Sequence, residues 1–393
     1  MRILFTAFSY YPERSGIPVV VQYLAEGLVN IGHEVAVFTC MNQQHEPQEE
    51  IINGVSVKRF DIGLSLTKKP YGDINQYIQS VLNANIDVLI MECLQCHTTD
   101  FLLPYLKDVS FKVLIHAHGA PGILMRPFAW EGDVLHSIGH FHNWLRWKRY
   151  YGKHFSKYAK YIDGSISSCL CASDIDFFSK NIKKNYILEN STDDFFFDSQ
   201  KYDEDVKELL GVKSSRYIVN IANFSDRKNQ LMLLDAFAKS KVHDCALVII
   251  GTVRNEYYDK LLKKAEKIAK QNCIEIKILD KCIERVHFPA ILYNASLFVL
   301  SSKWEEYSIS LVETMATGTP FLSTLAGNAR ILPGGVTARN DKEFAVLLKV
   351  LLDNPIYLKR YGEQGKAYAL YYCRSNIIVK NLNLILEDIC YVE

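Results

Sequence analysis

Two glutamates, Glu305 and Glu313, stand eight residues apart where the chain should turn from strand to helix. The apolar run Leu297 to Leu300 predicts a short buried strand. A polar turn follows, then a helix that Ser308 or Ser310 can cap. Leu311 with Met315, and Val312 with Ala316, give that helix an apolar face. Gly318 falls where a left-handed residue ends a helix, and Pro320 opens a second strand running to Ser323. In open α/β sheets ligands bind at the rim where strand ends meet helix starts. Carboxylates there can hold hydroxyl groups, and the free N–H groups of the helix start can hold phosphate. Together they suit a nucleotide sugar. A plainer reading is also open. Ser310 and Glu313 can form a capping box, with Glu305 and Glu306 as solvated turn charges.

Other candidate residues also fall at predicted strand ends. His116 and His118 alternate on the strand Lys112 to Ala117 and should point the same way. His-x-His can ligate a metal, yet no third ligand is evident in the sequence, and a satisfied buried histidine is the alternative. Lys228 should lie in the first turn of a helix whose Leu231, Leu234 and Phe237 face inward. Positive charge there opposes the helix dipole unless an anion is bound. Ser15 and Gly16 follow the first strand, where they let backbone approach a ligand or form an ordinary turn. Asp174 and Asp176 sit at an expected helix start, a common place for acids. Cys93-x-x-Cys96-His97 matches a haem attachment pattern, but no export signal accompanies it. Cys93, Cys96, Cys169 and Cys171 lack zinc-site spacing, so the ten cysteines read as reduced thiols.

These residues need parallel sheets to position them. Arg2 to Ala7, a helix with Val20, Leu24 and Leu28 inward, and the strand Glu34 to Thr39 make one βαβ unit. Strands follow at Val55 to Phe60, Ile86 to Met91, Lys112 to Ala117, Ile162 to Ser167 and Asn185 to Leu188. The acidic, aromatic stretch Asp193 to Glu208 reads as a linker. The pattern resumes at Tyr217 to Ala222, Ala246 to Ile250 and Ile274 to Leu279, and helices end the chain. A length of 393 residues suggests two domains. We place one at 1–195 with a returning C-terminal helix at 374–393, and the other at 196–373. A net charge of +1 argues against a nucleic-acid binder. No apolar run approaches the roughly 20 residues that span a bilayer, and no signal peptide is evident, so a cytoplasmic location is expected. Residues 134–162 contain no acid but many lysines, arginines and aromatic residues. Such a helix suits an anionic membrane surface through residues 140–161, or simply keeps its basic face in water.

The segment Glu305-Glu306-Tyr307-Ser308-Ile309-Ser310-Leu311-Val312-Glu313-Thr314-Met315-Ala316-Thr317-Gly318-Thr319-Pro320 resembles the E-x7-E signature of retaining GT-B glycosyltransferases, glycosyltransferase family 4. Both glutamates and Met-Ala-x-Gly-x-Pro keep step, whereas Glu306 and Ser308 replace glycines and Ser310 replaces proline. The resemblance implies two Rossmann-like domains facing across a cleft, parallel sheets, and a final helix crossing back to the first domain. It implies transfer, with retention, of a sugar from a nucleoside-diphosphate sugar to a hydroxyl on a glycan or lipid-linked acceptor. No essential metal or cofactor is implied. The setting would be bacterial surface glycan synthesis at the inner face of the plasma membrane. Glu305 would hold donor-sugar hydroxyls and Glu313 the ribose. Lys228 with Ser308 and Ile309 would stabilise the departing diphosphate. His118 would lie near the anomeric carbon. Ser15 and Gly16 would flank the diphosphate, Ser15 replacing a glycine. Asn223 replaces a diphosphate-binding arginine, and Cys282 would lie near the base. The alternatives are a catalytically silent partner subunit and a sugar-nucleotide epimerase of the same fold.

Overall fold

Runs of Val, Ile and Leu form strands close to where the sequence predicts them, because a parallel sheet covered on both faces takes continuous apolar segments. The computed structural model describes residues 1–13, 16–41, 46–65, 69–128, 134–202, 205–280 and 283–391. The chain forms two units, residues 1–190 with 375–393, and residues 191–374.

In the first unit the strands lie in the order Lys184–Ile187, Gly164–Ser167, Lys112–His116, Val88–Glu92, Arg2–Ala7, Glu34–Cys40, Val55–Phe60, Glu49–Ile52. All neighbours in this sheet are parallel except the edge strand Glu49–Ile52, which pairs antiparallel with Val55–Phe60, while Ile62–Leu64 and Pro70–Gly72 form a separate antiparallel pair. From Arg2–Ala7 the chain builds outward on one side, then returns to start the other side at Val88–Glu92. The gap between those two strands is therefore a topological switch point, where open sheets bind ligands. The helix Ile17–Asn30 buries Val20, Val21, Leu24 and Leu28. The last helix, Ser375–Tyr391, packs on it so closely that a Cβ at Gly27 would lie 2.3 Å from Val379. Asp388 accepts hydrogen bonds from Lys184 Nζ at 3.1 Å and from the Tyr186 hydroxyl. The C-terminus thus belongs to the first unit.

Among the described residues the second unit holds six parallel strands in the order Ile276–Leu279, Cys245–Ile250, Arg216–Ile221, Leu297–Leu300, Phe321–Thr324, Gly335–Ala338. Its switch point lies between Arg216–Ile221 and Leu297–Leu300. The segment expected to be a linker is instead part of this unit. Asp194–Phe197 is a 3-10 turn, and Phe196, Tyr202 and Val206 are buried. Their apolar area outweighs the acids around them.

Gly318 ends the helix Ile309–Thr317 in the left-handed conformation, φ 84°. A Cβ on Gly362 of the helix Pro355–Tyr372 would lie 2.2 Å from the Gly318 carbonyl oxygen. Gly362→Ala should therefore lower stability by about 1–2 kcal/mol, since overpacking outweighs the better helix propensity of alanine. Thermal unfolding should show a fall of roughly 3–6 °C. Gly139→Ala, where a new Cβ meets nothing within 4 Å, should show none.

Candidate active site

In the second unit, both segments that leave the switch point carry charged side chains, and these meet. After Arg216–Ile221 the chain turns through 222–229 before the helix Gln230–Ser240. Asn229 is left-handed, φ 54°, so Lys228 lies in the turn and not in the helix's first turn as its spacing suggests. After Leu297–Leu300, Glu305 turns back toward it. The Glu305 carboxylate accepts hydrogen bonds from Lys228 Nζ at 2.5 Å, Ser302 Oγ at 2.6 Å and Arg227 Nη1 at 3.2 Å. Its side chain is only 6% exposed, so it is not a solvated turn charge. The Arg227 guanidinium also stacks over Trp304 at 4.9 Å.

The helix Ile309–Thr317 starts beside this cluster. Ser308 is its cap residue, but its hydroxyl meets Ser310 Oγ at 2.9 Å and does not bond to the helix's backbone. The Ser308 N–H donates to Asn328 Oδ1 at 2.8 Å. Gly327, φ 52°, lets that loop approach, since a Cβ there would lie 2.9 Å from both Cβ and the carbonyl oxygen of Glu305. Ile309 opens the helix.

Glu313 does not close a capping box. It accepts from Arg285 Nη2 at 2.5 Å, and Arg285 Nε donates to Asp193 Oδ2 at 2.6 Å. Burial pushes the Glu313 carboxyl above the usual range, and the Arg285 charge partly opposes that. Asn223 carries no charge to a ligand. Its Oδ1 accepts from the Thr252 hydroxyl at 2.9 Å. Arg227 is the second cation beside Lys228. Cys282 and Ser15 lie outside the described residues.

The first unit carries its own group of polar side chains at its switch point. Gly16 has a positive φ of 56°, which favours glycine, immediately before the helix Ile17–Asn30. The strand Lys112–His116 stops short of His118, which adopts φ 54°, so simple strand alternation does not place that ring. What places it is Glu92, a residue the sequence reading missed. Glu92 Oε2 lies 2.5 Å from His118 Nε2 and 3.2 Å from His116 Nδ1. Glu92 is thus the third donor that His-x-His lacked in sequence, and the three ligand-type atoms lie within 4.8 Å of one another. Two ligands on a tetrahedral ion at about 2.1 Å stand about 3.4 Å apart. The 2.5 Å contact is instead a hydrogen bond, and in this conformation the set is a hydrogen-bonded cluster. Two imidazoles outweigh burial and hold Glu92 ionised, its pKa lowered to about 2.

Residues 201–368 match the family model described as glycosyl transferases group 1. A segment of 88 residues is 34% identical to an MMP alpha-(1->4)-mannosyltransferase of Mycolicibacterium hassiacum, covering 21% of each chain. Protein CapJ of Staphylococcus aureus is 25% identical over 226 residues, 53% of this chain and 56% of that protein. The chain thus spans about a fifth and about half of the curated relatives it matches. The solved structure of Alr3699/HepE from Anabaena, in complex with UDP, superposes with TM-score 0.70 at 16% identity, covering 99% of this chain and 100% of that one. The fold is GT-B, and the matched region contains Lys228, Glu305 and Glu313.

Proposed function

We propose that the protein is a retaining glycosyltransferase that moves a sugar from a nucleoside-diphosphate sugar to a hydroxyl acceptor, without an essential metal or cofactor. The observation that carries this reading is the cluster Lys228–Glu305–Arg227 beside the start of the helix Ile309–Thr317. Two cations and a helix N-terminus can bind a diphosphate and stabilise its departure. A buried carboxylate between them can hold sugar hydroxyls. Glu313, with Arg285 and Asp193, offers a second carboxylate suited to ribose. That Alr3699/HepE is in complex with UDP supports a nucleotide donor.

The test is thermal stabilisation by UDP, GDP, ADP and CMP. Ligand at 100 times its dissociation constant adds about 2.7 kcal/mol. One nucleotide should stabilise the wild type. Lys228→Ala should weaken that nucleotide roughly 10- to 100-fold, the worth of a hydrogen bond to a charged group. No shift with any nucleotide would favour a catalytically silent partner, a reading that the uncharged Asn223, turned to Thr252, also favours.

A glycan or lipid-linked acceptor at the inner face of the plasma membrane is the acceptor reading. It rests on the helix Val134–Arg149, where exposed Val134 and Ile138 accompany Arg146, Lys148 and Arg149. No helix among the described residues is long and apolar enough to cross a membrane.

A further inference from the structure

Glu92 is fully buried at the end of a central strand, and its carboxylate faces two imidazoles. The rings of His116 and His118 lie 3.9 Å apart between centroids. The loops that carry this group are held in an unusual backbone state. Cys93, Gln95 and His118 have φ of 70°, 61° and 54°, a region that side chains other than glycine seldom adopt. Such conformations persist where surrounding contacts over-determine them. Those contacts are present. The Gln95 N–H donates to the Tyr150 hydroxyl at 3.1 Å, which donates to Asp100 at 2.5 Å. The Ala120 N–H donates to Ser173 Oγ at 2.6 Å, fastening the loop after His118.

We propose that Glu92 is a positioning residue whose carboxylate keeps the proton of His118 on Nε2, so that Nδ1 offers a lone pair to a sugar hydroxyl. The proposal rests on the glycosyltransferase reading for the identity of that hydroxyl, but not for the state of the ring. An ionised carboxylate can only accept, so the nitrogen facing it carries the hydrogen. A neutral imidazole has one N–H, which leaves Nδ1 unprotonated. Burial and the neighbouring His116 hold His118 below the ordinary histidine value, against the pull of Glu92. The neutral form is therefore the one present near neutral pH. His118 then accepts from a hydroxyl and orients it, in the way that a carboxylate behind a histidine fixes which nitrogen faces outward in other sites.

The test is a long-range proton–nitrogen spectrum of the full chain with labelled histidine at pH 7.5, with His118 assigned through His118→Asn. The wild type should show His118 protonated at Nε2 alone. Glu92→Gln should move part of the population to the Nδ1–H form. It should also lower turnover of the donor 10- to 100-fold while leaving nucleotide affinity unchanged, because Lys228, Glu305 and Glu313 lie in the other unit. A cationic His118 in the wild type, or one protonated at Nδ1, overturns the proposal. So does Glu92→Gln with an unaltered tautomer and turnover. If Glu92→Gln fails to fold, a cationic or Nδ1-protonated His118 in the wild-type spectrum still overturns the proposal. An Nε2–H ring in a chain that turns over no sugar nucleotide would reject the transferase reading and keep the role of Glu92 in fixing the ring.

Discussion

Glu305→Gln is expected to lower turnover by about 10²- to 10³-fold, the scale for losing one preorganised polar contact to the reacting centre, while nucleotide binding stays intact or tightens. The two effects separate because Glu305 does two things. In the proposed function its carboxylate holds sugar hydroxyls, and in the structure it occupies Lys228, Arg227 and Ser302. A diphosphate that needs those cations must share them with Glu305 or displace it. Glutamine keeps the length and one acceptor oxygen but gives up the charge. The ammonium and guanidinium are then freer to meet phosphate. Donor hydrolysis rates and calorimetric nucleotide affinities on one preparation would read both effects. A tenfold loss of nucleotide affinity in Glu305→Gln would show that the carboxylate organises the cations and does not compete with the ligand. Unchanged turnover would remove Glu305 from the site altogether.

The parts of this molecule legible in the sequence are those set by local pattern. Runs such as Val88 to Met91 or Ala246 to Ile250 are apolar throughout because both faces of the sheet are covered. The Gly318 stop is legible because few other residues take a left-handed φ at low cost. What escaped was set by distant contacts. The edge strand Glu49–Ile52 is short, half exposed and half acidic, so its own residues argue against a strand. The stretch Asp193 to Glu208 looks solvated by composition, yet its aromatic side chains find a core that only the fold supplies. One left-handed residue, Asn229, delays a helix and moves Lys228 into the turn. Arg285 lies 28 residues from its partner Glu313, and Glu92 lies 24 and 26 from His116 and His118. No pattern within a single sequence links such pairs. A signal for Glu92 was nevertheless present. An acid that closes an otherwise apolar central strand must be buried, and a buried carboxylate needs a partner. The His-x-His at the end of the adjacent strand is the natural one.

The same argument makes the loss of Arg285 costly to the second unit. Glu313 is buried and ion-paired to Arg285, while Arg285 is 47% exposed. Removing one partner of a fully buried pair costs about 3–5 kcal/mol, because the other charge is left uncompensated. With Arg285 half in water, and an exposed pair worth little, Arg285→Ala should cost about 2–3 kcal/mol at pH 7.5. That is a fall of roughly 4–12 °C for a unit of this size. The pH dependence follows from the direction of the Glu313 shift. Its folded-state pKa already lies above the unfolded value because of burial, and Arg285 is the charge that restrains it. Without Arg285 it rises further. A group shifted upward favours the folded state most below its unfolded pKa, and that contribution is lost as pH rises through the folded pKa. The difference between Arg285→Ala and wild type should therefore be largest near pH 7.5 and shrink toward pH 5, where a protonated Glu313 no longer needs the guanidinium. Thermal unfolding of both proteins across that range gives the result directly. A deficit of the same size at every pH would mean that Arg285 acts by packing over Phe196, 5.1 Å from its ring centroid, and not through the charge of Glu313.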